Sequence, residues 1–444
     1  MADSGAEKPS DGLKRIAKGD LDEIVRLHHL LVSSQPGGRR ALLAFYDLTS
    51  VDLSGRDLPE ADFTGARLAR ARLRAANLRF AILFGADLRT CNLQGADLTR
   101  ADLRGACLRG ADLCDAVLVE ADIREGTLAR YTSDGITRNV TYDRQQSELS
   151  CIVAQRADLT GARVDGAFLL KTDFTDAVLR QTNFRHADMR GSILRGAIME
   201  GCNLEGVNLT HADLQGADLT GAGLEGALLH DADLRGTVID RDALSASQRR
   251  AALLPQADAQ AMVALPGLLA AHERWVESSS REGKRADLSD LDLTAQDLSN
   301  TNLSAVVLRR AVLRGAKLRG GKFPMADLSM CDLRHADMKR ADLRGINLER
   351  AVMKGADLSG CDVGPVESVG SDNQKWLANL SYAKLAGARL SGAKLCGAKL
   401  VGTDFTDADL REVDFRGANL SEARIRGANF QGAYIDPIKQ TAAR

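Results

Sequence analysis

Aspartate recurs every five residues through much of this chain, as at Asp97, Asp102 and Asp112. Stacked carboxylates at fixed spacing could bind calcium or perform acid–base chemistry. Eight cysteines and seven histidines add candidates for metal ligation or nucleophilic attack. Spacing argues against each reading. Calcium-binding β-helical repeats use a Gly-rich nonapeptide that is absent here, and an Asp at a recurring turn more often bonds nearby backbone. The cysteines form no Cys-x-x-Cys and no Cys/His pair at zinc spacing. Cys91, Cys202, Cys331 and Cys361 stand where a small residue usually recurs, which predicts buried, inert thiols. His186, His211, His230 and His335 fall at outward corners of isolated repeats, and no Ser or Cys can be given a His partner without assuming a stacking register. Glycine recurs every five residues, so no glycine pattern identifies a phosphate loop. The expectation is a protein with no catalytic residue, no metal and no cofactor, hence not an enzyme.

The elements that carry these residues follow from the period. Among 444 residues there are 41 Gly, and aromatics make up only 4%. Leu and Ala dominate the apolar fraction, which suits a narrow, regularly filled interior. Charged residues are 27% at a net charge of −1, without the basic excess of a nucleic-acid or anionic-membrane binder. The opening MADSGAEKPSDG lacks the apolar stretch of a signal peptide, and no apolar run is long enough to span a bilayer. These features predict a cytoplasmic protein with no direct nucleic-acid or membrane partner.

Four tracts share the period, with their large apolar residues from about Leu48 to Leu128, Leu159 to Ile239, Leu288 to Val363 and Leu380 to Ile435. Together they hold roughly 62 pentads. Three segments interrupt them. Residues 130–153 read as a protruding loop or short hairpin, and residues 364–377 as a shorter loop carrying Trp376. Residues 241–283 have helical character. There Leu268, Leu269, His272, Trp275 and Val276 form one stripe, with Pro266 in the first turn and Gly283 at the exit. Near the start, Leu13, Ile16, Ala17, Leu21, Ile24, Val25, His28, Leu31 and Val32 share one face of a helix from about 12 to 33. A Gly-Arg-Arg-Ala exit (38–41) follows it and a Gly-Lys-Arg-Ala exit (283–286) follows the later helix, which predicts a tandem duplication with its boundary near residue 241.

Residues two apart on an extended strand point to the same side. Ala101 and Leu103 therefore point inward with Asp102 outward between them, and Arg104 and Gly105 must turn the chain. Gly accepts such corner dihedrals cheaply. An α-helix is excluded, because five residues advance it by about 500° and would scatter the leucines round its surface. Basic residues follow the central apolar residue often (Arg104, Arg109, Arg314, Arg319) and face preceding aspartates, which predicts solvated ion-pair rows.

The runs GADLTRADLRGACLRGADL (95–113), HADLQGADLTGAGLEGALL (211–229) and GARLSGAKLCGAKLVGTDF (387–405) resemble the pentapeptide-repeat proteins, whose consensus is close to A-(D/N)-L-x-x. The resemblance implies an all-β solenoid, a right-handed quadrilateral β-helix with one pentad per side. Here it would form two tandem modules, each with a short N-terminal helical cap. The expected division is a cap at 1–40, a first module at 41–240, a second helical cap or linker at 241–285, a second module at 286–436 and a tail at 437–444. Open solenoid ends need such caps. The function expected is a non-catalytic scaffold for an unidentified protein partner, met by the loop residues Tyr131, Arg138, Tyr142, Arg144 and Trp376, since interface anchors favour Tyr, Trp and Arg. The alternative is a DNA-mimic regulator of DNA gyrase or another topoisomerase, implied by resemblance to the gyrase-binding branch of the family. That branch dimerises through a C-terminal helical segment, for which the ending YIDPIKQTAAR has no counterpart.

Overall fold

The computed structural model describes residues 13–126, 129–131, 137–139, 149–255, 259–367 and 375–436. Parallel bridges join residues twenty apart, from Leu42↔Asp62 to Asp102↔Asp122, four to each turn of the chain. Twenty residues thus make one four-sided coil. Each side is held the same way. The Leu103 amide donates to the Asp122 carbonyl of the next coil (2.8 Å), the Asp102 amide to the Ala81 carbonyl of the previous one (3.0 Å), and the Ala106 amide closes the corner on Leu103 (3.0 Å).

The inward pair is Ala and Leu as expected, with Ala101 and Leu103 both buried. Each fully buried Leu contributes about 1.5–3 kcal/mol. The interior is narrow enough that Phe174 and Phe184, ten residues apart, meet edge-on at 6.4 Å, as Phe405 and Phe415 do at 6.2 Å. The residue two after the central one takes a left-handed conformation whatever its type: φ is +57° at Phe80 and Arg100 and +67° at Gly105. At Gly105 the glycine is also required sterically, since a Cβ would lie 2.4 Å from the Gly126 carbonyl oxygen.

Two corners carry insertions. In the first, the register jumps from 20 to 41 residues at Asp112↔Val153, and the excursion contains the antiparallel strands β3 (Ala129–Tyr131) and β4 (Thr137–Asn139). The wall resumes earlier than the expected 130–153 loop allows. Leu149 and Ile152 are already buried, and the Leu149 amide bonds the Phe168 carbonyl. Ile152 fills the small slot and Ala154 the large one, so the pair exchanges sizes at nearly constant volume. In the second insertion the register becomes 32 residues at Asn347↔Asn379, and strands β5 (Val366–Glu367) and β6 (Lys375–Trp376) pair antiparallel.

The chain divides into two compact units. One comprises Met1–Leu214, Leu219–Asp233 and Ile239–Ala252, and the other Gln215–Asp218, Leu234–Val238 and Leu253–Arg444. In this division the first unit's last segment ends at Ala252, within the expected 241–285 segment. The 3-10 turn Arg241–Ala243 and helix α2 (Ala246–Ala251) stay with the first unit. Buried Gln248 explains this, because its Nε2 donates to the carbonyls of Leu224 (2.8 Å) and Ala227 (3.0 Å) in the last coil. Ser245 and Gln248 form a capping box at the start of α2.

At the start of the first unit, helix α1 spans Lys18–Val32 and buries Leu21, Val25 and His28. It starts later than the expected residue 12. Lys14–Arg15 (β1) instead pairs in parallel with Tyr46–Asp47 (β2), the Lys14 amide meeting the Phe45 carbonyl at 2.8 Å. An exposed edge of backbone groups favours such strand addition. In the second unit, helix α3 spans Ala259–Glu277 and contains Pro266 in its interior rather than its first turn. The preceding Ala-Gln-Ala-Met-Val-Ala-Leu run is rich in helix formers. His272 is fully buried, and Leu268 and Leu269 pack on that unit's core.

Replacing Leu103 by Ala should cost about 2–5 kcal/mol in urea-induced unfolding. Replacing its half-buried neighbour Arg104 by Ala should cost less than about 1 kcal/mol. Far-UV circular dichroism should show β structure with a minor helical part.

Candidate interaction surface

The repeat uses its outward groups on itself. Asp102 Oδ1 accepts the Arg104 amide at 3.2 Å, and the Arg104 guanidinium folds back on the same carboxylate at 2.9 and 2.7 Å. The same fork recurs at Asp122/Arg124, Asp188/Arg190, Asp342/Arg344, Asp409/Arg411 and Asp414/Arg416. Pairs also bridge neighbouring coils, as in Arg72–Asp52 at 3.0 Å and Arg309–Asp327 at 2.5 Å. Hydrogen bonds from Ser54 and Arg72 hold the Asp52 carboxyl at about 2, and the fork with Arg416 lowers Asp414. Each of these carboxylates is a backbone cap and an ion-pair partner in one, which leaves it poorly placed to be a ligand or a base.

The small-slot cysteines are equally committed. The thiols of Cys91, Cys202, Cys331 and Cys361 donate to the carbonyls of Leu68, Leu179, Leu308 and Met338 at 2.7–2.8 Å. Thr182 and Ser192 make the same bond from the same slot, to Leu159 and Leu169. Burial pushes Cys91, Cys202 and Cys361 up to about 12 and raises Cys331 as well.

The histidines differ from expectation in one respect. His211 and His230 are not isolated, because adjacent coils bring their rings to 6.1 Å and place both beside Asp231, at 3.7 and 3.3 Å. Among the described residues no group of three or more His, Cys, Asp and Glu is arranged to hold a metal ion.

Exposed large apolar residues occur along the walls, as at Phe80 and Leu228, and also at the insertions, where the expected anchor residues lie. Tyr131 and Arg138 lie on β3 and β4, with Tyr131 opposite Thr137 and Arg138 opposite Arg130. Tyr142 and Arg144 lie outside the described residues. Trp376 lies on β6 opposite Val366 and is 38% exposed. The hairpin folds onto the corner at Gly345, where an added Cβ would meet Val366 Cγ2 at 3.1 Å and the Trp376 carbonyl oxygen at 3.2 Å. Met325 reaches the same corner at 41% exposure, and Leu377 is 40% exposed. Met325, Trp376 and Leu377 are thus partly exposed apolar residues at or next to this hairpin. In the first unit, an open groove of about 500 Å³ is lined by Arg104, Arg124, Arg185, His186, Glu125 and Asp165. It borders the corner where the first insertion leaves the wall. The nearness of Met325 to the Trp376 backbone depends on the coil register and is not visible in the repeat period. No helix among the described residues is long and apolar enough to cross a membrane.

A solenoid of twenty-residue coils with Ala and Leu inside and Asp outside is a repeat protein of the pentapeptide class. The family profile described as pentapeptide repeats matches eight times, over residues 47–83, 81–118, 157–196, 197–236, 286–323, 326–363, 377–411 and 403–435. These matches span well over half of the chain, which therefore belongs to the pentapeptide-repeat family. Membership implies the right-handed quadrilateral β-helix. No curated protein matches the chain in sequence. Similar solved structures include HetL, a pentapeptide repeat protein involved in heterocyst differentiation regulation from the cyanobacterium Nostoc sp. It is 20% identical over 94% of this chain and 97% of its own, with a TM-score of 0.14. Full-length QnrB1, a plasmid-mediated fluoroquinolone resistance protein, is 16% identical over 65% and 93%, with a TM-score of 0.18. Rfr23 from the cyanobacterium Cyanothece is 22% identical over 34% and 88%, with a TM-score of 0.16.

A thiol reagent at pH 8 should label exposed Cys151 first. Cys91, Cys202, Cys331 and Cys361 should stay unlabelled until denaturant is added, as peptide mapping by mass spectrometry would read out.

Proposed function

We infer that the protein is a non-catalytic scaffold that engages a protein partner through the hairpins inserted into its repeat walls. One observation carries this reading: the walls pair many of their carboxylates with their own guanidinia, while Trp376, Met325 and Leu377 remain partly open to solvent at a hairpin. Aromatic anchors of this kind dominate binding energy in interfaces. Tyr131, Arg138, Tyr142 and Arg144 would play the corresponding part in the first unit. In this reading the chain is two tandem β-helical modules, and α1 and α3 close their N-terminal ends.

The alternative is a DNA-mimic regulator of DNA gyrase or another topoisomerase. QnrB1, a fluoroquinolone resistance protein, shares the repeat. A mimic must present dense negative charge to a basic groove. Here Arg–Asp forks neutralise the rows, and the net charge is −1, so the scaffold reading is favoured.

Partner capture from the native host should fall at least tenfold with Trp376→Ala or Tyr142→Ala, while circular dichroism stays unchanged. A gyrase supercoiling assay at low salt, where electrostatic competition is strongest, should show no inhibition. Submicromolar inhibition there would favour the mimic.

A further inference from the structure

The two units begin with one device, built twice. In the first unit, buried His28 on α1 accepts the Ala41 amide on Nδ1 at 3.0 Å. In the second, buried His272 on α3 accepts the Ala286 amide on Nδ1 at 3.1 Å. Arg40 Nε donates to the Glu60 carbonyl, and Arg285 Nε to the Ala305 carbonyl. The Arg39 amide donates back to Leu27 of α1 (2.9 Å), and the Lys284 amide to Ala271 of α3 (3.0 Å).

The wall's own pattern shows what each ring replaces. Within the wall, an inward small residue donates its amide to the carbonyl three residues earlier, as Ala61 does to Leu58. Ala41 and Ala286 enter from a helix, and the imidazole Nδ1 takes that acceptor's place. Corner amides donate to the carbonyl nineteen positions on, as Glu60 does to Arg79. By that rule the Pro59 carbonyl would meet the amide of residue 40, and the Ser304 carbonyl that of residue 285. The backbone at Pro59 and at Ser304 instead acts on the histidine ring and favours its proton. Nε2 of each ring is buried without reaching full hydrogen-bonding geometry. One neutral imidazole, accepting on Nδ1 and carrying its proton on Nε2, thus stands in for two groups of a missing coil.

We propose that His28 and His272 are proton-sensitive latches, each holding its helix on the first coil only while its ring is neutral, so that acidification releases α1 and α3 and bares the coil edges. Protonation would set an N–H on Nδ1 against the Ala41 or Ala286 N–H and place a charge in a buried site. The proposal rests on the end-closing role of the helices and is independent of any partner.

The charged surroundings make the two latches unequal. Burial is the largest influence and lowers both rings. Around His28, the first coil contributes Asp57 and Glu60, which favour the charged ring, and the linker contributes Arg40, which opposes it. Around His272, the linker's Arg285 opposes charge, while Asn302 and Ala305 occupy the places of Asp57 and Glu60. A ring whose folded value is depressed gives its full stabilisation above the released value of about 6.5 and loses it as pH falls below that. Both latches therefore begin to weaken near pH 6.5. The loss at His28 should level off earlier, because Asp57 and Glu60 favour its charged ring while Asn302 and Ala305 stand in their places at His272.

The test is hydrogen exchange of the full chain between pH 7.5 and 5, corrected for intrinsic rates and read by mass spectrometry. Protection of α1 and α3 should fall by up to about tenfold per pH unit below 6.5, further for α3 than for α1. Trp275 stacks on His272 at 5.7 Å, so in a Trp376→Phe background its emission should fall over the same range. His28→Gln and His272→Gln keep an acceptor and a donor without a titrating group and should flatten the response of their own helix. Asp57→Asn leaves the latch bonds intact and should extend the α1 loss to lower pH. Helix protection unchanged down to pH 5, or Gln variants that respond to acid like the wild type, would overturn the proposal.

Discussion

A backbone ladder that returns every twenty residues constrains everything else in this protein. Each coil offers its amides and carbonyls to the coils on either side, as Leu103 does to Asp122 and Asp102 to Ala81. A buried ladder tolerates no unpaired group cheaply, so four pentads per coil cannot become four and a fraction. Extra chain must therefore leave at a corner and return to the same corner. Both insertions do so: the register changes to 41 residues in one unit and to 32 in the other, yet the ladder beyond them is again spaced at 20. The left-handed corner is equally non-negotiable, since Phe80 and Arg100 adopt it as Gly105 does.

The same ladder determines what the surface can do. An outward Asp precedes many central residues, and its carboxylate lies within reach of the amide two residues on and, where one follows, of the Arg beside that amide. The carboxylate is consumed by the turn that it stabilises. In the small slot, Cys, Ser and Thr donate to the same class of carbonyl, so polarity there is structural too. A wall of this kind has few groups left over for chemistry. That directs attention to the hairpins and to the ends, where the pattern stops.

The five-residue period made the wall legible from sequence: the inward Ala101 and Leu103, the outward Asp102 and the buried cysteines all follow from strand alternation and corner spacing. The Leu149–Ala154 stretch was not legible, because Ile152 and Ala154 exchange the sizes of their slots. The start of α1 was missed because Leu13 is buried by strand pairing rather than by a helix face. The meeting of His211 with His230 and of Met325 with the Trp376 hairpin depends on which residues stack twenty apart, which a one-dimensional period does not state. Both helices and both Gly-x-Arg-Ala exits were visible. The bonds between them were not, because a histidine on an apolar helix face reads as ordinary core.

The ends of the coils are where physical chemistry leaves a choice. Inside the wall the backbone amides and carbonyls of each coil pair with those of the coils on either side. At a first coil the neighbour is missing and a side chain must imitate it. Gln248 does this at the far end of the first unit with an amide, which keeps one protonation state throughout. His28 and His272 do it with imidazole, the side chain whose ordinary titration falls in that range. Asn or Gln could supply the same donor and acceptor without any pH dependence. Histidine at both corresponding positions therefore ties the closure of each unit's first coil to protonation. The carboxylates Asp57 and Glu60 beside one ring, with Asn302 and Ala305 beside the other, let identical bonds respond to different extents.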